Sequence, residues 1–418
     1  MEAVRSLLKR LAPVAGLFLF PALLAACATY QSKVSQARSL LEEGRGKEAI
    51  EKLEPLARTA DGDQLVYLLD YASALQINGQ YKESSKAFLQ ADRLAEAVDY
   101  QSVSRVAGSL LLSEEMKQYK GDTFEKIYIN AQLALNFLEL GQLDDALVEA
   151  RRMNEKYVKL RGEDKKDFEL NPFAKYLSAV VWEADRKYDD ALIAYREAYK
   201  ISPSIQGLPE DLIRASKLAQ RPDEYQKWKK TFPHVKENPA WYDKKKGELV
   251  VIVQQGWGPR KVFSAGDARW PDLAPVDSRT QSARLEIPGH PEVESKKVYD
   301  VQSAAIQTLN DDRASLFARR VGAFAAKEVA ADQIRQKNEL LGFVAWFAMH
   351  ASDRADLRQW STLPQSVQFI RVPLSAGDYK ISLQGLGADD RPTADRLESR
   401  EIKIRPGQKT FVVWRALR

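Results

Sequence analysis

Residues 68–91 read LLDYASALQINGQYKESSKAFLQA, and their spacing decides the fold of the first half of the chain. Leu68, Ala72 and Leu75 recur at helical intervals, Gly79 interrupts, and Tyr81, Phe88 and Ala91 resume the helical period. Two helices joined by a tight turn follow. Small residues let the helices approach, the glycine lets the backbone reverse, and the aromatics fill the space toward a neighbouring pair. Ser84 stands at one of the small-residue positions.

The unit recurs. Ala37, Gly44, Ala49 and Leu53 form a weaker copy, Ala134, Gly141, Leu143 and Ala146 another, and Ala179, Trp182, Tyr188, Ala191, Tyr195, Ala198 and Pro203 a fourth. This is tetratricopeptide spacing, whose repeat is about 34 residues. From Ala49 to Ser84 is 35 residues, but Ser84 to Ala146 is 62 and Ala146 to Ala191 is 45, so extra material lies between units. Val103, Val106, Leu110 and Leu111 predict an added or degenerate hairpin over 100–116, and residues 160–170 read as a polar loop or helix extension. The adjacent acids Asp144/Asp145 and Asp189/Asp190 are not catalytic pairs. Helix neighbours diverge by about 100°, and both pairs open a second helix, where acids complement the dipole.

Before the repeats, Arg5, Lys9 and Arg10 precede a short apolar run from Leu11 to Leu23 that ends in Leu24-Ala25-Ala26-Cys27. Pro13 and Pro21 interrupt it, and it is too short to remain as a span, so it reads as an export signal closing on a lipobox. Resemblance to lipoprotein precursors implies lipidation of Cys27 and cleavage before it. That removes Glu2 with three basic residues, a net +2, and leaves +3 of the +5 carried by 63 Lys plus Arg against 58 Asp plus Glu. Ala28 follows the cysteine where an Asp would argue for inner-membrane retention, so the expected place is the periplasmic face of the outer membrane. The small, diluted excess of charge argues against nucleic acid. One cysteine and three histidines exclude an intrachain disulfide and a Cys/His metal cluster, and no cofactor is expected.

Residues 233–246 carry Pro233, Pro239, Trp241, Tyr242 and Lys244-Lys245-Lys246, and are expected to be a lysine-rich solvated linker. Beyond it the period moves toward 2. Glu248–Gln255 is a buried strand closed by Gly256-Trp257-Gly258-Pro259, which lacks the third glycine and following helix of a dinucleotide loop. Val367–Leu374 with Tyr379–Leu383 predicts one hairpin, and Arg400–Ile404 with Thr410–Leu417 around Gly407 a second. Between the strands, Ile306, Leu309, Phe317, Val321 and Phe324 mark one helix and Leu340, Phe343, Val344 and Phe347 another. The expected architecture is an α-helical tetratricopeptide-like solenoid followed by an α+β domain of antiparallel strands with a helical insertion packed on them. The boundaries are 1–26 for the signal peptide, 27–232 for the repeats, 233–246 for the linker and 247–418 for the second domain.

Tyr119-Lys120-Gly121, Ala146-Leu147-Val148-Glu149-Ala150-Arg151-Arg152, Gly247-Glu248-Leu249-Val250-Val251 and Asp356-Leu357-Arg358-Gln359-Trp360-Ser361-Thr362-Leu363-Pro364 together resemble a family of tetratricopeptide-repeat outer-membrane lipoproteins of Gram-negative bacteria. The resemblance implies an envelope role, near small lipoproteins or regulators of peptidoglycan synthases, and carries over no catalytic residues.

No Gly-x-Ser-x-Gly, no His-Glu-x-x-His and no Walker A is present, since Gly44-Arg45-Gly46-Lys47 lacks the spacing and the final hydroxyl residue. The expected protein is therefore not an enzyme but a lipid-anchored scaffold that holds an envelope protein in its solenoid groove, with Asp70, Ser73 and Asn130 lining it. The alternative is a peptidoglycan or glycan binder using Trp257, Trp270 or Trp360. Arg151/Arg152 and the cluster Asp353, Arg354, Asp356 and Arg358 read as helix-end and ion-pair features. Cys27→Ser is expected to leave an unprocessed precursor, because no other thiol can be acylated; fatty-acid analogue labelling that still marks the variant would refute the lipobox.

Overall fold

The computed structural model describes residues 30–103, 118–162, 171–267, 269–351 and 355–418. The lipobox and the greater part of the two inter-repeat insertions, 104–117 and 163–170, lie outside these residues.

Antiparallel helix pairs build the first half. They are α1 (Tyr30–Glu42) with α2 (Gly46–Arg58), α3 (Gln64–Ile77) with α4 (Tyr81–Val103), α5 (Thr123–Glu139) with α6 (Leu143–Gly162), and α7 (Pro172–Ala184) with α8 (Tyr188–Ile201). The pair α9 (Leu208–Leu218) and α10 (Pro222–Thr231) follows them. Gly79 turns α3 into α4 with a φ of +76°, a conformation a β-carbon disfavours. Ser84 then donates its hydroxyl to the Ala72 carbonyl at 2.8 Å, so the small residue both permits and ties the crossing. Ala72, Ala91, Ala146 and Ala191 have no exposed surface. The paired acids open α6 and α8, as their helix-dipole reading requires.

Residues 233–246 are not a free linker. Glu237 accepts bonds from Tyr225 at 2.6 Å and Tyr242 at 2.8 Å, and Lys217 lies 4.1 Å from the Tyr242 ring centre. The short 3-10 turn Pro239–Tyr242 is thereby fastened to α9 and α10.

Two four-stranded sheets follow. β1 (Lys246–Gln255) pairs antiparallel with β7 (Ser366–Ser375) and parallel with β10 (Lys409–Ala416), and β6 (Lys296–Asp300) completes the order β10-β1-β7-β6. The second sheet runs β5 (Val293–Glu294), β4 (Ser282–Glu286), β8 (Gly377–Leu386), β9 (Pro392–Ile404). A separate ribbon joins β2 (Arg260–Phe263) to β3 (Pro271–Ala274).

Neither predicted hairpin forms. β7 and β8 belong to different sheets, as do β9 and β10, and the β1–β10 pairing is parallel. The physical reason is the burial of β1. Its Val250 and Ile252 join the core shared with the solenoid, while Leu249, Val251 and Val253 join the core between the sheets. A strand covered on both faces needs neighbours on both edges and a second sheet beneath it, and the chain supplies them by crossing between sheets at the turns.

The helical insertion also departs from expectation. α11 (Val301–Lys337) and α12 (Glu339–Ala351) form a long hairpin whose helices pack against each other. A β-carbon at Gly342 would stand 2.5 Å from the Arg335 Cα, so that glycine sets the approach of the two helices. Its base meets the body, where the Val301 amide donates to the Gln365 carbonyl at 2.9 Å and Val301 and Ala305 enter the core. At 1.5 Å per residue α11 is about 55 Å long.

Ala191→Trp is expected to overpack the α7–α8 crossing and cost about 1–3 kcal/mol. An unchanged thermal unfolding curve would refute the alignment of that unit.

Candidate functional site

The inner face of the solenoid is occupied by the chain's own residues 356–363. Trp360 has 1% of its surface exposed and packs against Phe88 and Tyr128, with ring centres 5.6 and 5.7 Å away. Its indole N–H donates to Ser73 Oγ at 2.9 Å and its backbone N–H to Glu125 Oε1 at 2.9 Å. Asp70 Oδ1 accepts from the Thr362 amide at 3.0 Å, the Thr362 hydroxyl at 2.8 Å and the Ser361 hydroxyl at 3.1 Å. Asp70 and Ser73, one turn apart on α3, thus hold a segment of the same polypeptide.

Asn130 does not join them. It is fully buried and donates to Glu149 at 2.7 Å and Asp92 at 3.4 Å, with Arg152 3.6 Å from Asp92 and Lys156 also paired to it. It ties α4, α5 and α6 together and is unavailable to a ligand. Arg151 instead lies 5.4 Å from the Trp182 ring centre.

At the groove, Asp70 and Glu125 are displaced from the usual carboxyl range. Burial pushes Asp70 up to about 6, although the bonds from Tyr30 and Thr362 oppose the shift. The Tyr30 hydroxyl contacts both the Asp70 carboxylate and the Gln359 carbonyl, and one phenolic proton cannot serve two acceptors. Glu125 is pushed up to about 7 by burial and by the charge of Asp122, against the pull of Lys261. It accepts from the Tyr119 hydroxyl at 2.6 Å and from the Asp122 amide at 2.9 Å, closing the capping box of α5. Arg358 bridges Asp356 and Asp63 across the seam, both within 2.8 Å. Asp353 and Arg354 lie outside the described residues.

A second junction escaped the sequence reading. Arg371 of β7 reaches Glu183 at 3.0 Å, Asp211 at 2.8 Å and Glu248 at 2.8 Å, and Arg214 pairs with Glu183 and Asp211. Lys409 pairs with Glu183 and Glu248. Arg214 holds Glu183 well below the carboxylate range despite burial, and Arg371 and Lys409 hold Glu248 down to about 2. Nearby, an amide chain runs from Gln254 of β1 to Gln76 at 3.1 Å, Asn136 at 2.8 Å and Ser84 at 2.9 Å. These polar groups lie on inner solenoid faces that would otherwise be solvent-lined. Nothing in a single sequence says that they point at a second domain.

Trp257 is 3% exposed and Trp360 1%, so neither offers a face to a sugar, and Trp270 is half-buried. Among the described residues, no group of three or more His, Cys, Asp or Glu could hold a metal ion, and no helix is long and apolar enough to cross a membrane.

No family model matches the chain, and no curated protein matches it. Solved structures similar to it include MamA AMB-1, at 14% identity and a TM-score of 0.33 over 49% of this chain and 90% of that one. MamA from Desulfovibrio magneticus RS-1 gives 15%, 0.33, 49% and 91% by the same measures. Nearly identical TPR-like repeats from Podosopora anserina give 17%, 0.33, 49% and 93%.

The displaced carboxyls make stability depend on pH. Asp70 and Glu125 bind protons more tightly in the folded chain, so they stabilise it at low pH and that contribution is lost as pH rises through about 6 and 7. Glu183 and Glu248 act in the opposite sense, stabilising above the ordinary carboxylate range and failing as pH falls below it. The melting temperature is expected to be a few degrees higher near pH 5.5 than at pH 8, and Glu125→Gln to flatten that slope. Thermal unfolding from pH 4 to 9 checks both; a slope of the opposite sign, or one unaltered in the variant, refutes the assignment.

Proposed function

We propose that this protein is a non-catalytic scaffold of the cell envelope, lipid-anchored through a diacylglyceryl Cys27 at the periplasmic face of the outer membrane. One observation carries the reading. The groove is filled in cis, while the hairpin that leaves from its edge ends in an uncovered apolar face. Leu340, Leu341, Phe343 and Val344 are each more than half exposed. Leu340, Phe343 and Trp346 line an open depression with Arg335 and Glu339 at its margin, and Trp346 donates to Glu328 at 2.6 Å.

An apolar and aromatic floor with charged residues beside it has the composition of a protein interface, and spacing of three residues along a helix suits packing against another helix. The partner we propose is a helix of another envelope protein, a small lipoprotein or a regulator of peptidoglycan synthesis among the candidates. The solenoid's task is then to hold the second domain and its hairpin at a fixed position relative to the anchor. The peptidoglycan-binding alternative loses support from the burial of Trp257 and Trp360.

A photo-crosslinking residue at Leu341 in the anchored protein is expected to give a discrete protein adduct in cells, and one at the exposed Ile193 of α8 none. Leu340→Glu with Phe343→Glu is expected to reduce that adduct roughly tenfold while leaving the circular dichroism spectrum unchanged. Equal adducts from both positions, or saturable capture by purified sacculi with no protein adduct, would overturn the proposal.

A further inference from the structure

Arg38 of α1 is 3% exposed, and its Nε and Nη2 atoms are buried with no hydrogen-bond partner. A guanidinium keeps its charge, and burying it without an acceptor is costly, so such a group calls for a counter-ion. The face of Trp257 offsets part of that cost, but it is shared with a second arginine. Arg38 lies 4.7 Å from the centre of the Trp257 ring and Arg415 lies 4.9 Å from the same centre, and Arg415 Nε also lacks a partner. Burial first, and then the charge of Arg260, lower the Arg38 guanidinium to about 10, whereas Asp70 and Glu42 act to raise it. Asp70 is itself committed to Tyr30, Ser361 and Thr362, and neither carboxylate bonds to Arg38.

Arg38 lines a small recess open to solvent, together with Tyr30, Ser35, Arg260, Gln359 and Ser361. Arg260 is exposed at its margin and forms no ion pair among the described residues. The recess therefore offers two guanidinium groups, while its hydroxyls and the Gln359 amide are bonded within the chain and its bordering carboxylate is occupied elsewhere. The planar fork of a guanidinium matches the paired oxygens of a phosphate.

We propose that Arg38 and Arg260 bind a phosphate group in this recess, at the edge of the solenoid where the chain emerges from its N-terminal segment. The choice of phosphate over other oxyanions rests on the lipid-anchor reading. Tyr30 follows Cys27 by three residues, a reach of about 10 Å in extended chain, which sets the recess beside the lipid surface. A phospholipid headgroup and free inorganic phosphate share the recognised chemistry.

The test uses the mature chain from residue 27 with Cys27→Ser, so that its outcome does not depend on acylation. Inorganic phosphate is titrated at constant ionic strength against chloride, with thermal unfolding as the readout. A saturable rise in melting temperature is expected, because a ligand that binds only the folded state stabilises it. Arg260→Ala, at an exposed position, should weaken half-saturation about tenfold, and Arg38→Met should abolish the response with its circular dichroism spectrum retained. A second arm adds phosphatidylglycerol vesicles. Vesicle binding displaced by phosphate assigns the headgroup, and a phosphate response without vesicle binding assigns the free ion. The proposal fails if neither gives a saturable response, or if Arg260→Ala and Arg38→Met respond like the parent.

Discussion

Trp360 carries the association of the two halves. An indole has one side-chain donor and a large apolar surface, and here the donor is met by Ser73, the backbone N–H by Glu125, and the rings by Phe88 and Tyr128. Every one of those partners belongs to the solenoid, whereas the indole reaches it from the segment between α12 and β7. Removing such a residue from its socket would expose the indole and leave buried acceptors unserved, so separation of the halves is opposed by apolar burial and by polar satisfaction together. Residues on both sides extend the same contact, Arg358 to Asp63 and Thr362 to Asp70, so the segment is gripped along its length.

With that grip in place the buried charges become intelligible. Arg371, Arg214 and Lys409 face Glu183, Asp211 and Glu248 in a network that either half alone would leave incomplete. A buried pair contributes little net stability compared with apolar packing, but a single buried partner is strongly unfavourable. The network therefore selects one relative placement of the halves over others. The amide chain from Gln254 to Ser84 acts in the same way, since a shift of register would strand donors and acceptors that now satisfy one another.

The repeats were legible because their signal is local. Gly79, Ser84 and Ala191 are read from spacing, and the structure gives each the steric task that the spacing implies. The strand segments were legible for the same reason, but their pairing was not. A turn such as Gly407 marks where a chain reverses, not whether the next strand rejoins its neighbour or passes to another sheet. The continuous apolar run of β1 held the missing information, since a strand covered on both faces cannot edge a simple hairpin. Asp70 and Ser73 illustrate the same limit at the site. Repeat phase places them on the inner face, and nothing local shows that this face is filled by residue 360.

That filling changes what an inner-face polar residue means in such a fold. A groove open to solvent keeps carboxylates ionised, whereas Asp70 and Glu125 are buried deeply enough to hold their protons toward neutral pH. A free peptide competing for this groove would have to replace an intramolecular ligand whose effective concentration is set by its covalent attachment at both ends, and it would meet that ligand's full set of hydrogen bonds. Contacts with other molecules are therefore favoured where the chain leaves apolar surface or charge unanswered. The hairpin face at Leu340 and Phe343 and the unpaired Arg38 are two such places, and neither competes with Trp360 for its socket.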